Sequence, residues 1–81
     1  MRIDKFLKVS RILKRRSVAA EACSGGRVSV NGKDVKPAYQ LKVGDVVELR
    51  FNSNLLKFRV KELREFAKKE DVESMYEFLG D

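Results

Sequence analysis

The sequence predicts an α+β domain in which two short N-terminal helices pack on a small antiparallel sheet and a C-terminal helix closes the chain. Three observations carry this expectation. Apolar residues recur at helical spacing through the first quarter of the chain, the pattern switches to alternation around an Asn-Gly pair, and helical spacing returns after Lys68.

In RIDKFLKVSRIL, Ile3, Phe6 and Leu7 fall three and four residues apart, the buried stripe of a short amphipathic helix. Asp4 lies in its first turn, where a negative charge complements the helix dipole. Lys5, Lys8 and Arg11 step along another face at intervals of three. After LKRR, the segment SVAAEACSGG offers Val18, Ala19, Ala22 and Cys23 as a second stripe. This helix is built of small residues and can approach its neighbour closely, and Gly25-Gly26 supplies the left-handed residue that ends it.

RVSVNGKDV then reads as strand, turn, strand, because both central residues of a type I′ turn need positive φ and Asn-Gly meets that need best. Val28 and Val30 share one face. Gly44-Asp45 marks the next turn, after which Val47, Leu49 and Phe51 alternate with Val46, Glu48 and Arg50. Across NSN, Leu56, Phe58 and Val60 alternate with Leu55, Lys57 and Arg59. Three or four antiparallel strands with one apolar face are expected. In KKEDVESMYEFLGD, Val72, Met75, Tyr76 and Leu79 stand at i, i+3, i+4 and i+7, the spacing of a C-terminal helix. The expected core includes Phe6, Leu7, Val18, Ala22, Val28, Val30, Val47, Leu49 and Phe58, and Tyr39, Tyr76 and the five Phe are mostly core by spacing. No Pro- or Ser-rich linker and no internal repeat interrupts the chain.

At 81 residues this is one small domain with a modest core. A hydrophobic share of 43% with 37% charged residues of mixed sign is the composition of a folded chain. No apolar run approaches the roughly 18 residues of a spanning helix. MRIDKFLKVS alternates charge with apolar residues and has no signal-peptide core, so a cytoplasmic protein without a membrane partner is expected. The single Cys23 cannot form an internal disulfide, and the absence of histidine removes the side chain most used for zinc and for acid-base work at neutral pH. The expectation is a protein without metal, cofactor or enzymatic activity.

Charge is distributed unevenly. Residues 1–36 hold ten Lys and Arg against three acids, whereas residues 37–81 hold eight bases and nine acids. Within KVSRILKRRS, Lys8, Arg11, Lys14, Arg15 and Arg16 occupy five of ten positions with no acid among them. Such a run is often only a solvated face. Against a polyanion, each cation neutralises a phosphate and releases counterions, and Arg adds a planar fork for bidentate contact.

RIDKFL, then Arg16 before an Ala-rich helix, then GGRVSVNGK, then VGDVVEL, in this order and at these intervals, resemble the RNA-binding domain named for ribosomal small-subunit protein four, the S-four domain with its αL motif. The resemblance implies an S-four-type RNA-binding domain over residues 1–60 and a C-terminal helical extension over 61–81, both in one compact unit. The start MRIDKFLKVSRILKRR and the KKE…MY tail are further similar to a stand-alone branch, the RqcP family of bacterial ribosome-associated quality-control factors, and more distantly to the ribosome-associated heat-shock proteins of fifteen kilodaltons. That branch implies a monomer docking on the large ribosomal subunit, with large-subunit rRNA and peptidyl-tRNA as partners, where it helps an RqcH-type tailing factor add alanine tails to stalled chains.

In the S-four family, the first two helices and the start of the hairpin form one basic surface that reads RNA by shape and backbone. By that correspondence the RNA-binding candidates are Arg2, Lys5, Lys8, Arg11, Arg15, Arg16 and Arg27, with Asn31 and Lys33 reaching from the hairpin and Asp4 accepting from a ribose hydroxyl or orienting an arginine. Plainer roles compete with these. Asp4 serves as a helix-start acid, Arg16 as a brace to Asp4, Asn31 as a turn residue and Cys23 as a small buried hydrophobe. No aromatic lies within the basic run, so base stacking of the usual kind is not indicated. Other classes stay open: a general ribosome-associated or heat-shock-type rRNA-binding protein that recycles obstructed large subunits, a remnant of an RNA-modifying enzyme, a DNA binder, or a protein-interaction module using residues 61–81, where seven acids face four bases.

Overall fold

The computed structural model describes residues 1–51 and 53–80. Asn52, in the NSN turn, and Asp81, the last residue of the expected helix, lie outside the described residues. Helix α1 spans Ile3–Val9 and α2 spans Arg16–Ser24. Strands β1 (Val28–Val30), β2 (Lys33–Asp34), β3 (Val46–Phe51) and β4 (Asn54–Val60) follow, then a 3₁₀ helix (Lys69–Ser74) and β5 (Tyr76–Phe78). The five strands form one antiparallel sheet in the order β2-β1-β3-β4-β5.

Helices of seven and nine residues are too short to persist alone, so each is held by the face it buries. Helix α1 contributes Ile3, Phe6 and Leu7, and α2 contributes Ala19, Ala22 and Cys23. Opposite them the sheet supplies Val28, Val30, Val47, Leu49, Phe58 and Val60, all buried. Phe6 stacks on Phe58 with centroids 6.2 Å apart, and Tyr76 meets the edge of Phe58 at 5.6 Å. The start of the chain is tied down as well. The Ile3 N–H donates to the Tyr39 carbonyl at 2.9 Å, and Leu41 N–H to that of Met1 at 2.8 Å.

The β1–β2 hairpin has the expected turn. Asn31 and Gly32 take φ of +52° and +88°, and Val30 pairs with Lys33 across a two-residue loop. Helix α2 ends through Gly25 and Gly26, the latter at φ +75°.

Three expectations are corrected. The C-terminal segment is not an α-helix but a 3₁₀ turn followed by a strand: β4 offers an open edge, and Tyr76, Glu77 and Phe78 pair with Val60, Arg59 and Phe58 along it. Pairing satisfies backbone groups that a helix would leave open on β4. Met75, fully buried, anchors the turn, and its carbonyl accepts from Lys61 and Glu62 at 2.8 and 3.2 Å. Val18 is 41% exposed, because α2 packs through Ala19, Ala22 and Cys23 and the position before Ala19 faces about a quarter-turn away. Arg11 does not continue the face of Lys5 and Lys8: α1 stops at Val9, and Arg11 takes φ +64° in the following turn. Phe6 and Phe58 lie in the core and Phe51 and Tyr76 pack against it, but Tyr39, Phe66 and Phe78 are exposed and do not belong to it.

Candidate nucleic-acid interface

The basic surface is organised around one buried acid. Asp4 is 3% exposed at the start of α1, and its carboxylate accepts from Arg2 Nε and Nη2 at 3.2 and 3.0 Å and from the Lys5 N–H at 2.8 Å. Arg16 Nε, at the first position of α2, lies 3.5 Å from the same carboxylate. A residue two positions away and another twelve positions away are thereby fixed side by side, with both guanidinium groups still about half exposed. A guanidinium has five donors, so an arginine braced by Asp4 keeps donors for a phosphate. Bracing by Asp4 therefore does not use up the donors of Arg2 and Arg16.

Arg15 and Arg16 occupy the N-cap and first position of α2, and no acid lies in its first turn. Cations at the positive end of a helix dipole are unfavourable by some tenths of a kcal/mol each. An anion at this end would find both the dipole and two arginines.

The remaining candidates are less uniform. Lys5 pairs with Glu65, and its hydrogen bond holds the Glu65 carboxyl below the usual carboxylate range. Lys8, in the last turn of α1, Arg11 in the turn, and Lys14 are exposed and line a groove of about 340 Å³. Phe66 and Ala67 close its other side. Lys8, Arg11, Lys14, Arg15, Arg27 and Lys33 make no ion pair with any described residue.

Arg27 leaves the Gly25-Gly26 loop exposed, and its carbonyl accepts from Arg50 N–H at 2.8 Å. Arg50, which the sequence did not single out, also donates to the Gly26 carbonyl at 3.3 Å and lies 3.6 Å from Asp34. It clamps the loop that presents Arg27. Asn31 uses both ends of its amide within the fold, with Nδ2 donating to Asp45 at 3.1 Å and Oδ1 accepting from the Val46 N–H at 3.0 Å. Its neighbour Lys33 is exposed on the hairpin and, with Tyr39, borders a second concavity. That concavity adjoins the start of α1, since Pro37 and Tyr39 accept from the Asp4 and Ile3 N–H groups.

Phe66 is the residue that sequence reasoning missed. It lies about fifty positions beyond the basic run in an acidic region, and only the pairing of Lys5 with Glu65 across the fold reveals its position beside Lys8. Along the chain no aromatic belongs to the basic cluster, but in space Phe66 joins it.

Cys23 is buried, and burial first, then the charge of Asp4, pushes its thiol up to about 11. It is protonated at neutral pH and a poor nucleophile. Among the described residues no three His, Cys, Asp or Glu side chains are placed to hold a metal ion, and no helix is long and apolar enough to cross a membrane.

Comparison with known proteins adds to this geometry. Residues 1–47 match the model of the S4 domain, the S-four type. The chain is similar to the RQC P-site tRNA stabilizing factor of Streptococcus pneumoniae, 51% identical over 81 residues that cover 100% of this chain and 92% of that one. A protein of the same description in Bacillus subtilis is 46% identical over 79 residues, covering 98% of this chain and 92% of the other. Among solved structures, the trimeric Heat Shock Protein 15 of Vibrio cholerae superimposes with a TM-score of 0.90 at 25% identity, over 98% of this chain and 81% of that one.

Proposed function

The chain belongs to the S4 domain family, and on that basis we propose that it is a non-enzymatic RNA-binding protein of ribosome-associated quality control. In this reading it docks on a large ribosomal subunit that still holds peptidyl-tRNA. It contacts rRNA and the tRNA through the face built from α1, α2 and the loop before β1, and supports an RqcH-type factor that adds alanine tails. The observation that carries the RNA-binding part is the Arg2–Asp4–Arg16 cluster, in which one buried carboxylate orients two half-exposed guanidinium groups next to Arg15, which pairs with no described residue. Fixed arginine forks suit phosphate oxygens and lose little entropy on binding. The client is supported by similarity over the whole chain to RQC P-site tRNA stabilizing factors.

Sedimentation of the tagged protein through a sucrose gradient tests this reading. The protein is expected with free large subunits that retain peptidyl-tRNA, and sequencing of the comigrating RNA should return large-subunit rRNA and tRNA. Equal enrichment on translating polysomes would count against it, because a joined ribosome leaves no room for a factor at the subunit interface.

A further inference from the structure

We propose that Phe66, with Lys8, Arg11 and Lys14, forms a nucleotide subsite that stacks one unpaired RNA base while the cations hold its flanking phosphates. The proposal rests on the RNA-binding reading above and specifies a ligand: RNA with at least one unstacked nucleotide, as in a loop, bulge or end.

Phe66 is 78% exposed, more than any other large hydrophobic residue among those described. Its setting is ordered on both sides. Glu65 pairs with Lys5, while Leu63 and Ala67 pack partly buried against the core. Arg64 bonds to Glu62 at 2.5 Å and lies 3.7 Å from Asp71. The ring is thus presented by an anchored segment, and a base stacking on it need not order the chain first.

The residues opposite the ring determine the partner. Lys8, Arg11 and Lys14 line the groove, no acid does, and none of the three cations is neutralised by a described residue. Arg11 holds φ +64°, a left-handed conformation that an L side chain adopts only at a cost and that glycine would take freely. A long cation is kept there nonetheless. An aromatic face beside unpaired cations is the combination that single-stranded nucleic acid requires, since every base has a π-face and every nucleotide a phosphate. The bases of a continuous duplex have their faces covered by neighbours and cannot reach the ring. The other exposed aromatics lack this setting: Phe78 packs edge-on against Tyr76 at 5.1 Å, next to Glu77, and Tyr39 is only 37% exposed.

The test uses the full chain and two RNA hairpins, one fully paired and one carrying a single bulged 2-aminopurine. The unmodified protein should bind the bulged hairpin more tightly and quench the 2-aminopurine. Phe66→Ala should weaken binding of the bulged hairpin by roughly 5- to 100-fold and abolish the quenching. It should leave affinity for the paired hairpin and its salt dependence unchanged. Phe66→Tyr should retain both the preference and the quenching, and Phe66→Leu should lose both. Because the ring is exposed, all three variants should melt at the temperature of the parent. The proposal is overturned if Phe66→Ala keeps the preference for the bulge, or if Phe66→Leu behaves as the parent, which would leave an apolar contact to a protein. Failure of the RNA-binding reading itself looks different: neither hairpin would then bind with a salt-dependent affinity, and the subsite would fall with it.

Discussion

Arg15 and Arg16 stand at the positive end of α2 with no acid in its first turn, a placement that stability alone does not favour. Asp4 relieves part of the repulsion, but its bonds to Arg2 and to the Lys5 N–H are shorter than its approach to Arg16. Changing Arg15 and Arg16 together to Ala should therefore cost only about 1 kcal/mol of stability, because buried Asp4 keeps its bonds to Arg2 and to the Lys5 N–H and both arginines are exposed. Affinity for ribosomal RNA should nevertheless fall, and the slope of log affinity against log salt should flatten by roughly 0.7 to 0.9 for each phosphate that is no longer neutralised. Lys68→Ala with Lys69→Ala removes the same charge from an acidic region and is the control. Filter-binding titrations at several salt concentrations would separate the two variants. Equal losses with equal slopes would mean that binding follows net charge and that no defined surface exists.

Among the secondary-structure elements, the hairpin shows how a turn serves more than its own strands. Asn31 supplies one of the two positive φ angles and also ties the β1–β2 turn to the start of β3 through Asp45 and the Val46 N–H. These two contributions can be separated. Asn31→Gly keeps the backbone conformation and loses the side-chain bonds, and should cost about 1 kcal/mol. Asn31→Ala loses the bonds and strains φ as well, and should cost about 2 kcal/mol. Urea denaturation of the two variants measures the difference, and equal midpoints would mean that the backbone angle is not what selects Asn here. Strand β5 makes a related point. Helical spacing of Val72, Met75, Tyr76 and Leu79 coexists with alternation of Tyr76, Glu77 and Phe78, and the open edge of β4 decides between them.

Across the domain, Phe6, Phe58, Tyr76 and Phe78 form a chain of ring contacts that runs from the helical layer to the last strand. Phe6 is fully buried at one end of it. Phe6→Ala should cost on the order of 3 kcal/mol, a large fraction of the roughly 4 to 12 kcal/mol available to a domain of this size. With two tyrosines and no tryptophan, tyrosine fluorescence reports partly on Tyr76. Its urea transition should coincide with that of far-UV circular dichroism in both parent and variant, as one cooperative unit requires. A fluorescence midpoint that stays in place while the other moves would mean that β5 folds apart from the helices.

The two helices, the Asn-Gly hairpin and the long strands were legible in the chain itself, because each rests on a local period or a local φ requirement. Ile3, Phe6 and Leu7 are buried as their spacing requires, and Val47, Leu49, Phe58 and Val60 as their alternation requires. The concentration of cations before residue 36 was equally legible, since charge is a property of composition. Which partners these side chains have was settled only by the three-dimensional fold. Val18 and Ala19 are both apolar, and only the packing angle of α2 leaves Val18 outside. Asp4 could have been a simple helix-start acid, and only the approach of the two helix starts brings Arg16 to it. Phe66 joins Lys8, Arg11 and Lys14 because the Lys5–Glu65 pair, with Leu63 and Ala67 packed against the core on either side, holds its segment beside α1. A local pattern records the face that a residue turns toward the core, whereas the residue it meets there depends on chain closure over dozens of positions, which leaves no periodic trace in the sequence.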